Sequence, residues 1–278
     1  AADKVVVADS FRFHQNALRI LEAVQVSRAS EVKPIDVAVA RRSIAGSLIR
    51  HGRIDEALAM YQQALPQYEK DFPNQSRLAD LLDDIAMALN QSGKLQEAPP
   101  FFERSMAIRK QIYAPDHPVQ AFSLHNYALL LMKIGREKEA IHMMEEAIRI
   151  RMKALGPNHP YVSITRTDLG GALLRSGQAA GAVAPLESAM KAFRATSHPR
   201  DNYYLLAQRM LGEALANSGR LNEAIPYLRD ALTQSDNPRL RPNLEGKAFE
   251  KVRNQPAFVA LVKETSGGAS ASDGAVKR

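Results

Sequence analysis

Histidine is the residue of this sequence best suited to acid–base or metal chemistry, and seven histidines are present. Three of them, His117, His159 and His198, stand directly before proline at similar intervals. A metal site needs several ligands that converge on one ion. Residues repeated at such intervals belong instead to successive structural units, about 10 Å apart for each helix layer. The spacing therefore predicts loop residues and no metal site.

The other residues with chemical potential form no recognisable catalytic set. The chain has no cysteine, which excludes disulfides, thiol catalysis and thiolate-bound metals. No serine, histidine and aspartate occur in the context of a known nucleophile, and neither Gly170-Gly171 nor Gly267-Gly268 has the context of a phosphate-binding loop. The sequence predicts no enzyme and no cofactor.

A row of short polar residues recurs with nearly constant spacing. Ser43, Asp84, Asn126 and Asp168 follow one another at 41, 42 and 42 residues, and Met210 takes the next place. Because helical packing uses other positions, we expect this row to face a ligand. Neighbouring positions complete the candidate binding surface: Arg42, Asp80, Asp83, Met87, His125, Leu129, Thr167 and Arg209.

Five glycines reveal the elements that must position this row: Gly52, Gly93, Gly135, Gly177 and Gly219. Each follows an apolar helical pattern, and small, large and small residues follow it at offsets of five, nine and twelve. These offsets describe one face of a second helix. A glycine that adopts positive φ can end the first helix. Each block therefore predicts a helical hairpin.

A column of small residues stands seven positions before each glycine, and it predicts that another helix backbone approaches closely there. The column is Ala45, Ala86, Ala128, Gly170 and Gly212.

The small-large-small signature resembles the tetratricopeptide repeat. The stretches Leu124–Ala128, Gly135–Ala140 and Gly156–Pro160 look like the longer, 42-residue repeat of kinesin light chains and many bacterial proteins. This resemblance implies an all-α fold, a right-handed α-solenoid of about five helical hairpins with N- and C-terminal capping helices. Extended binding surfaces are the usual function of such arrays.

The resemblance also implies how the polar row would act. In kinesin light chains the position of Asn126 is typically Asn, which implies side chains that hydrogen-bond an extended peptide in a concave groove. Ionised Asp84 and Asp168 only accept hydrogen bonds, so they favour basic segments. The carboxylate-clamp subfamily uses Lys and Asn where this chain has Arg42 and Gly46. We therefore expect an internal segment as ligand, not a chain terminus.

The ends of the chain differ from the repeats. Residues 1–31 are predicted to form an N-terminal capping half-repeat through Phe13, Ala17, Leu21 and Val24, with Asp36 as N-cap of the next helix. The five repeats occupy residues 32–73, 74–115, 116–157, 158–198 and 199–238. Residues 239–264 are predicted to be a C-terminal capping segment. Residues 265–278, rich in Ser, Gly and Ala, are predicted to be a disordered tail.

Charge and hydropathy limit the partners. The net charge is +7, and residues 239–278, with eight basic and four acidic residues, carry most of this excess. The repeats are therefore nearly neutral, and we expect no nucleic-acid ligand. No apolar run approaches the length of about 20 residues that a membrane span requires. The start at Ala1-Ala2-Asp3, without Met, is typical of a processed exported protein. We expect a periplasmic or secreted protein, with a cytoplasmic one as the alternative.

Two functions therefore remain open. The first is a non-catalytic adaptor or scaffold that binds a peptide segment of a partner protein in its groove. The second is a structural subunit of a larger hetero-oligomeric assembly, bound through helix edges and caps. An exposed groove favours the first function, and burial of the second-helix faces against another chain favours the second.

Overall fold

The computed structural model describes residues 16, 19–20, 22–23, 33–195, 202–233 and 240–271, with backbone alone for 266–271. In these ranges the regular structure is helical throughout, which confirms the all-α fold class. The helices with defined bounds are α1 Pro34–Arg50, α2 Ile54–Asp71, α3 Ser76–Gln91, α4 Pro99–Ile112, α5 Pro118–Lys133, α6 Glu137–Leu155, α7 Pro160–Arg175, α8 Ala179–Ala195, α9 Asn202–Asn217, α10 Leu221–Thr233 and α11 Pro256–Ala271, with a 3-10 turn at Lys247–Phe249.

The chain forms two compact units, residues 1–134 and residues 135–278, called unit 1 and unit 2 below. In unit 1 the consecutive helices α1 and α2, α2 and α3, α3 and α4, and α4 and α5 pack against each other, and α3 also contacts both α1 and α5. In unit 2 consecutive helices from α6 to α11 pack in the same way, and α7 also contacts α9. The first helices of successive hairpins therefore lie side by side within each unit.

Positive-φ glycines end the first helices, as the sequence predicts. The five repeat glycines have φ between 74° and 86°. In the first turn, the Gly52 amide donates to the Ile49 carbonyl and the Arg53 amide to the Leu48 carbonyl, both at 3.0 Å. This pattern satisfies the last carbonyls of a helix and needs one left-handed residue, which glycine supplies without steric cost.

The packing columns are buried in both units, as predicted. The first helices bury the apolar residues eight and four positions before the glycine: Ile44, Leu48, Ile85, Leu89, Tyr127, Leu131, Leu169, Leu173, Leu211 and Leu215. The second helices bury the alanines five positions after it and the large residues nine positions after it: Ala57, Tyr61, Ala98, Phe102, Ala140, Met144, Ala182, Leu186, Ala224 and Leu228. These residues form the core between the helices.

The small column allows close packing, but the closest neighbours differ from the prediction. A Cβ built at Gly170 would lie 2.5 Å from Cγ of Leu186, and one at Gly212 would lie 2.6 Å from Cδ2 of Leu228. Each leucine belongs to the second helix of the same hairpin, and its side chain supplies these closest atoms. At Gly212 the Leu228 backbone nitrogen would lie 3.4 Å from the same Cβ.

The His-Pro sequences begin helices. His117 and His159 are the N-cap residues of α5 and α7, with Pro118 and Pro160 as the first helical residues. Nδ1 of His117 accepts a hydrogen bond from the Val119 amide at 3.3 Å. In the described part of the chain, no group of three or more potential metal ligands is brought together. His198 lies outside the described residues.

The C-terminal segment forms a small apolar cluster. Phe249, Val252, Phe258 and Leu261 are buried, and the rings of Phe249 and Phe258 stack at 5.2 Å. Helix α11 packs on α10, while the 3-10 turn packs on α9.

Some predicted boundaries differ from the structure. Helix α11 runs to Ala271, seven residues past the boundary at 264, as an extension of a helix that already starts at Pro256. The rest of the predicted tail, residues 272–278, is outside the described ranges. Asp36 is the third residue of α1, where its carboxylate accepts from the amide of the N-cap Lys33 at 3.3 Å. The predicted half-repeat residues Phe13, Ala17, Leu21 and Val24 are also outside the described ranges.

Candidate functional site

The first helices of unit 1 bring most of the predicted surface together. Helices α1, α3 and α5 carry what we call the unit 1 row: Arg42, Ser43, Asp80, Asp83, Asp84, Met87, His125, Asn126 and Leu129. Nε of Arg42 donates to Asp84 at 2.7 Å, which links α1 to α3. Nδ2 of Asn126 lies 3.7 Å from the sulfur of Met87, which links α5 to α3. Residues about 40 positions apart in sequence therefore form one surface.

A buried arginine on a second helix holds two of the aspartates. Nη2 of Arg109 donates to Asp80 at 2.6 Å, and Nη1 donates to both Asp83 and Ser123. The Ser123 hydroxyl also donates to Asp83 at 2.9 Å. Asp83 and Arg109 are 2% and 3% exposed, so Asp83 is an internal ion-pair partner and does not face a ligand.

The network keeps an excess of negative charge. Three carboxylates, Asp80, Asp83 and Asp84, face two guanidinium groups, Arg42 and Arg109. The side chains of Asp80 and Asp84 remain 42% and 25% exposed. Burial raises the pKa of Asp84, Arg42 opposes the shift, and the neighbouring Asp80 and Asp83 reinforce it. The region is thus electrostatically suited to a further cation.

The remaining side chains of the unit 1 row differ in accessibility. Met87, Asn126 and Leu129 are half-buried and form a polar and apolar floor. Ser43 is exposed, and its hydroxyl donates to the Val39 carbonyl of its own helix at 3.1 Å. His125 is buried and therefore belongs to the packing more than to the surface.

In unit 2 the predicted residues are largely used internally. Thr167 is buried, and its hydroxyl donates to the Ser163 carbonyl at 2.9 Å. Arg209 forms an ion pair with Glu213 on the same helix. Burial raises the pKa of Glu213, and Arg209 opposes that shift. Asp168 and Arg209 are half-buried, so both are more accessible than Thr167.

Two buried arginines that share one column were not predicted from the sequence. Sixteen positions after the glycines stand Tyr68, Arg109, Arg151 and Phe193, all buried. Arg151 donates to the hydroxyl of Thr165 and to the Tyr161 carbonyl, the latter at 3.2 Å. The available signal was arginine in two blocks at a position where two other blocks have a buried aromatic residue.

Comparison with known proteins agrees with this hairpin organisation. Sequence profiles described as tetratricopeptide repeat match residues 77–153, 120–195 and 210–238, which together cover more than half of the chain. The chain is a tetratricopeptide repeat protein. The repeat fold suggests a scaffold for protein–protein interaction, it is typically non-catalytic, and proteins of this family bind protein partners. Within the described residues, no helix is long and apolar enough to span a membrane.

Individual relatives resemble parts of this tetratricopeptide repeat protein. Nephrocystin-3 of Xenopus laevis is 40% identical over 68 residues, which are 23% of this chain but only 5% of that protein. Solved kinesin light chain-like repeats of Podosopora anserina are 24% identical, with a TM-score of 0.62 over 69% of this chain and 92% of theirs. YrrB, described as a TPR protein with an unusual peptide-binding site, is 16% identical, with a TM-score of 0.53 over 79% of this chain and 94% of its own. The two structures show the shared fold.

Proposed function

We propose that the unit 1 row binds a basic peptide segment of a partner protein, so that the chain acts as an adaptor or scaffold. The observation that carries the proposal is the excess carboxylate among Asp80, Asp83 and Asp84 beside an accessible apolar and amide floor. Two guanidinium groups cannot neutralise three carboxylates. A lysine or arginine of the partner would complete the network.

The available oxygen atoms define where that basic group would bind. Asp80 uses Oδ1 on Arg109, and Asp84 uses Oδ2 on Arg42. A carboxylate oxygen accepts more than one hydrogen bond, and the second oxygen of each aspartate can accept more. Because both side chains are partly exposed, a cation can reach them without breaking either internal ion pair.

Asn126, Met87 and Leu129 would hold the rest of the segment. The Asn126 amide can donate to and accept from a peptide backbone, and within the described residues its Nδ2 lies against the weakly accepting Met87 sulfur. Exchanging that contact for a peptide carbonyl is favourable. Met87 adapts to different side chains because it is unbranched and polarizable. Peptide binding at the first helices is also consistent with the family.

A peptide selection tests the proposal with a charge-matched control. A displayed library of random 12-residue peptides is selected on the full chain, and enriched peptides are measured by fluorescence anisotropy. Asp80→Asn is expected to weaken basic peptides about threefold to tenfold, since a half-exposed ion pair contributes about 1 kcal/mol. Asn126→Ala is expected to weaken them similarly. Asp55→Asn removes the same charge from exposed α2 of the same unit and is expected to have no effect.

If enriched peptides carry no basic residues, or if they bind Asp80→Asn and Asn126→Ala as tightly as the unchanged chain, the unit 1 row is not the binding surface. Raising the salt concentration gives an independent readout. Binding through exposed charges must weaken with salt.

A further inference from the structure

A second surface, of opposite charge, lies in unit 2 where α6 ends and α7 begins. Residues 147–167 include Arg149, Arg151, Lys153 and Arg166 but no aspartate or glutamate. We call this surface, formed by the end of α6, the loop and the start of α7, the α6–α7 edge. It shares no residue with the unit 1 row and is independent of the proposal made there.

Arg166 is the cation that sets this edge apart. Its Nη1 donates to the Pro157 carbonyl at 3.1 Å, and its Nη2 lies 3.2 Å from the sulfur of Met152. Both acceptors are neutral, and a thioether is a weak one. Burial lowers the pKa of Arg166, and no carboxylate of the described residues offsets that effect. The guanidinium is thus partly desolvated without an anion.

The other arginines of the edge are already engaged. Arg149 forms a two-point ion pair with Glu146, at 2.7 and 2.9 Å. Arg151 is buried against the hydroxyl of Thr165, with its guanidinium 5.5 Å from the centre of the Tyr161 ring. Arg166 contacts only a carbonyl and a thioether within the described residues, so its guanidinium retains N–H donors for a ligand. A guanidinium has five N–H groups and binds a carboxylate best through two of them.

Apolar side chains stand exposed beside this cation. Met152, Leu155 and Tyr161 are 38%, 42% and 58% exposed, and all three flank the same loop. Met152 contacts Arg166 directly, and Leu155 lies one helical turn further along α6. Large exposed apolar residues grouped around an unneutralised charge are typical of an interaction surface.

We propose that the α6–α7 edge binds an acidic segment of a partner protein that also carries apolar side chains. A carboxylate of that segment pairs with Arg166 and takes the place of the Met152 sulfur. The apolar side chains of the partner's segment cover Met152, Leu155 and Tyr161. Charge complementarity decides the occupant, because the edge is rich in cations and the guanidinium of Arg166 has no anion within the described chain.

The test uses the full chain and a library biased toward this chemistry. Displayed 12-residue peptides that combine Asp and Glu with Leu, Phe and Met are selected, and their affinities are measured by fluorescence anisotropy. Arg166→Gln is expected to weaken them about tenfold, the loss of one charge-assisted hydrogen-bonded pair. Leu155→Ser is expected to weaken them severalfold. Arg175→Gln, at the other end of α7, removes the same charge and is expected to leave affinity unchanged.

Hydrogen exchange locates the bound peptide. Protection is expected in residues 150–167 and absent in α1, α3 and α5, so that failure here and failure of the unit 1 proposal can be told apart. The proposal is overturned if no enriched peptide depends on Arg166. It is also overturned if Arg166→Gln instead abolishes self-association in light scattering, or abolishes binding to phosphatidylserine vesicles, since either result assigns the edge to another occupant.

Discussion

Replacing Gly170 with alanine isolates the cost of crowding inside one hairpin. A Cβ at this position would lie 2.5 Å from both Cγ and Cδ2 of Leu186, far inside van der Waals contact. The branched end of a leucine cannot withdraw by that distance without a change of rotamer or a shift of α8. The substitution therefore adds one methyl group to a filled core.

The expected magnitude follows from two opposing effects. Alanine in a helix interior is more stable than glycine by about 1 kcal/mol, whereas overpacking costs about 1 to 3 kcal/mol. Gly170→Ala should thus lower the free energy of unfolding by about 1 kcal/mol. Gly181→Ala in α8 is the matched control, because its nearest neighbour would be Leu173 Cδ2 at 3.8 Å. That variant should gain up to about 1 kcal/mol.

The sequence itself suggests a rescue. The first three hairpins combine alanine at this column with unbranched or planar residues nine positions after the glycine: Ala45 with Tyr61, Ala86 with Phe102, and Ala128 with Met144. The last two combine glycine with leucine. Leu186→Met alone conserves volume and should cost less than about 1.5 kcal/mol. In the double variant, the methionine should recover most of the stability lost at Gly170.

Urea unfolding followed by far-UV circular dichroism measures these differences. Hydrogen exchange in α7 and α8 verifies that the change is local to the hairpin. The reasoning fails if Gly170→Ala is as stabilising as Gly181→Ala. It fails equally if Leu186→Met has the same effect with glycine or with alanine at position 170, since the two sites would then not be coupled.

Three further predictions use the same measurements. Arg109→Met leaves Asp83 buried without a cation and should cost about 3 kcal/mol, whereas Arg104→Met, at an exposed ion pair, should cost less than about 1 kcal/mol. At Gly52 an added Cβ meets no steric obstacle, but φ is 74°, which is unfavourable for alanine. Gly52→Ala should therefore lower the free energy of unfolding by about 1 kcal/mol through the backbone alone, and a stabilised variant would refute this. Because the pKa of Asp84 is raised in the folded state, the folded protein binds its proton more tightly than the unfolded chain does. The contribution of Asp84 to stability is therefore highest below its ordinary pKa and falls as the pH rises through its raised pKa. Asp84→Asn should remove this decrease in stability. A pH profile of stability that is the same in Asp84→Asn would contradict the raised pKa of Asp84.

Periodicity predicted the hairpins well because each helix buries a stripe that the sequence repeats. The leucine and alanine columns are set by the 3.6-residue period, and the glycines by the left-handed residue that ends a helix. Both are local rules. The exposure of the polar row was harder to predict, because it depends on the long side chains that reach these residues from other helices. Asp83 is adjacent to Asp84 in sequence and was assigned to the same surface, yet it is buried in an ion pair with Arg109, 26 residues away.

The arginine column shows why local patterns miss such partners. Arg109 and Arg151 occupy core positions, where charged residues are rare unless they are paired. Their hydroxyl partners, Ser123 and Thr165, each follow 14 residues later, across a loop. Nothing in a helical period predicts a contact of that kind. The contact can be predicted only by aligning the blocks and noting that each buried arginine is followed 14 residues later by a serine or threonine.

These two contacts also bear on how cooperatively each unit unfolds. Each arginine near the end of one helix is hydrogen-bonded to the second turn of the next helix, so opening either hairpin exposes a buried cation in its neighbour. In a repeat array such nearest-neighbour terms determine how far an opening event spreads. Between α8 and α9 the corresponding residues, Phe193 and Ala207, are buried and apolar, and Nε of the adjacent Arg194 donates to the Tyr204 hydroxyl at 3.2 Å across the same junction. We therefore expect the hairpins of unit 2 to be coupled at both junctions, by a buried cation between α6 and α7 and by apolar packing with a partly buried hydrogen bond between α8 and α9.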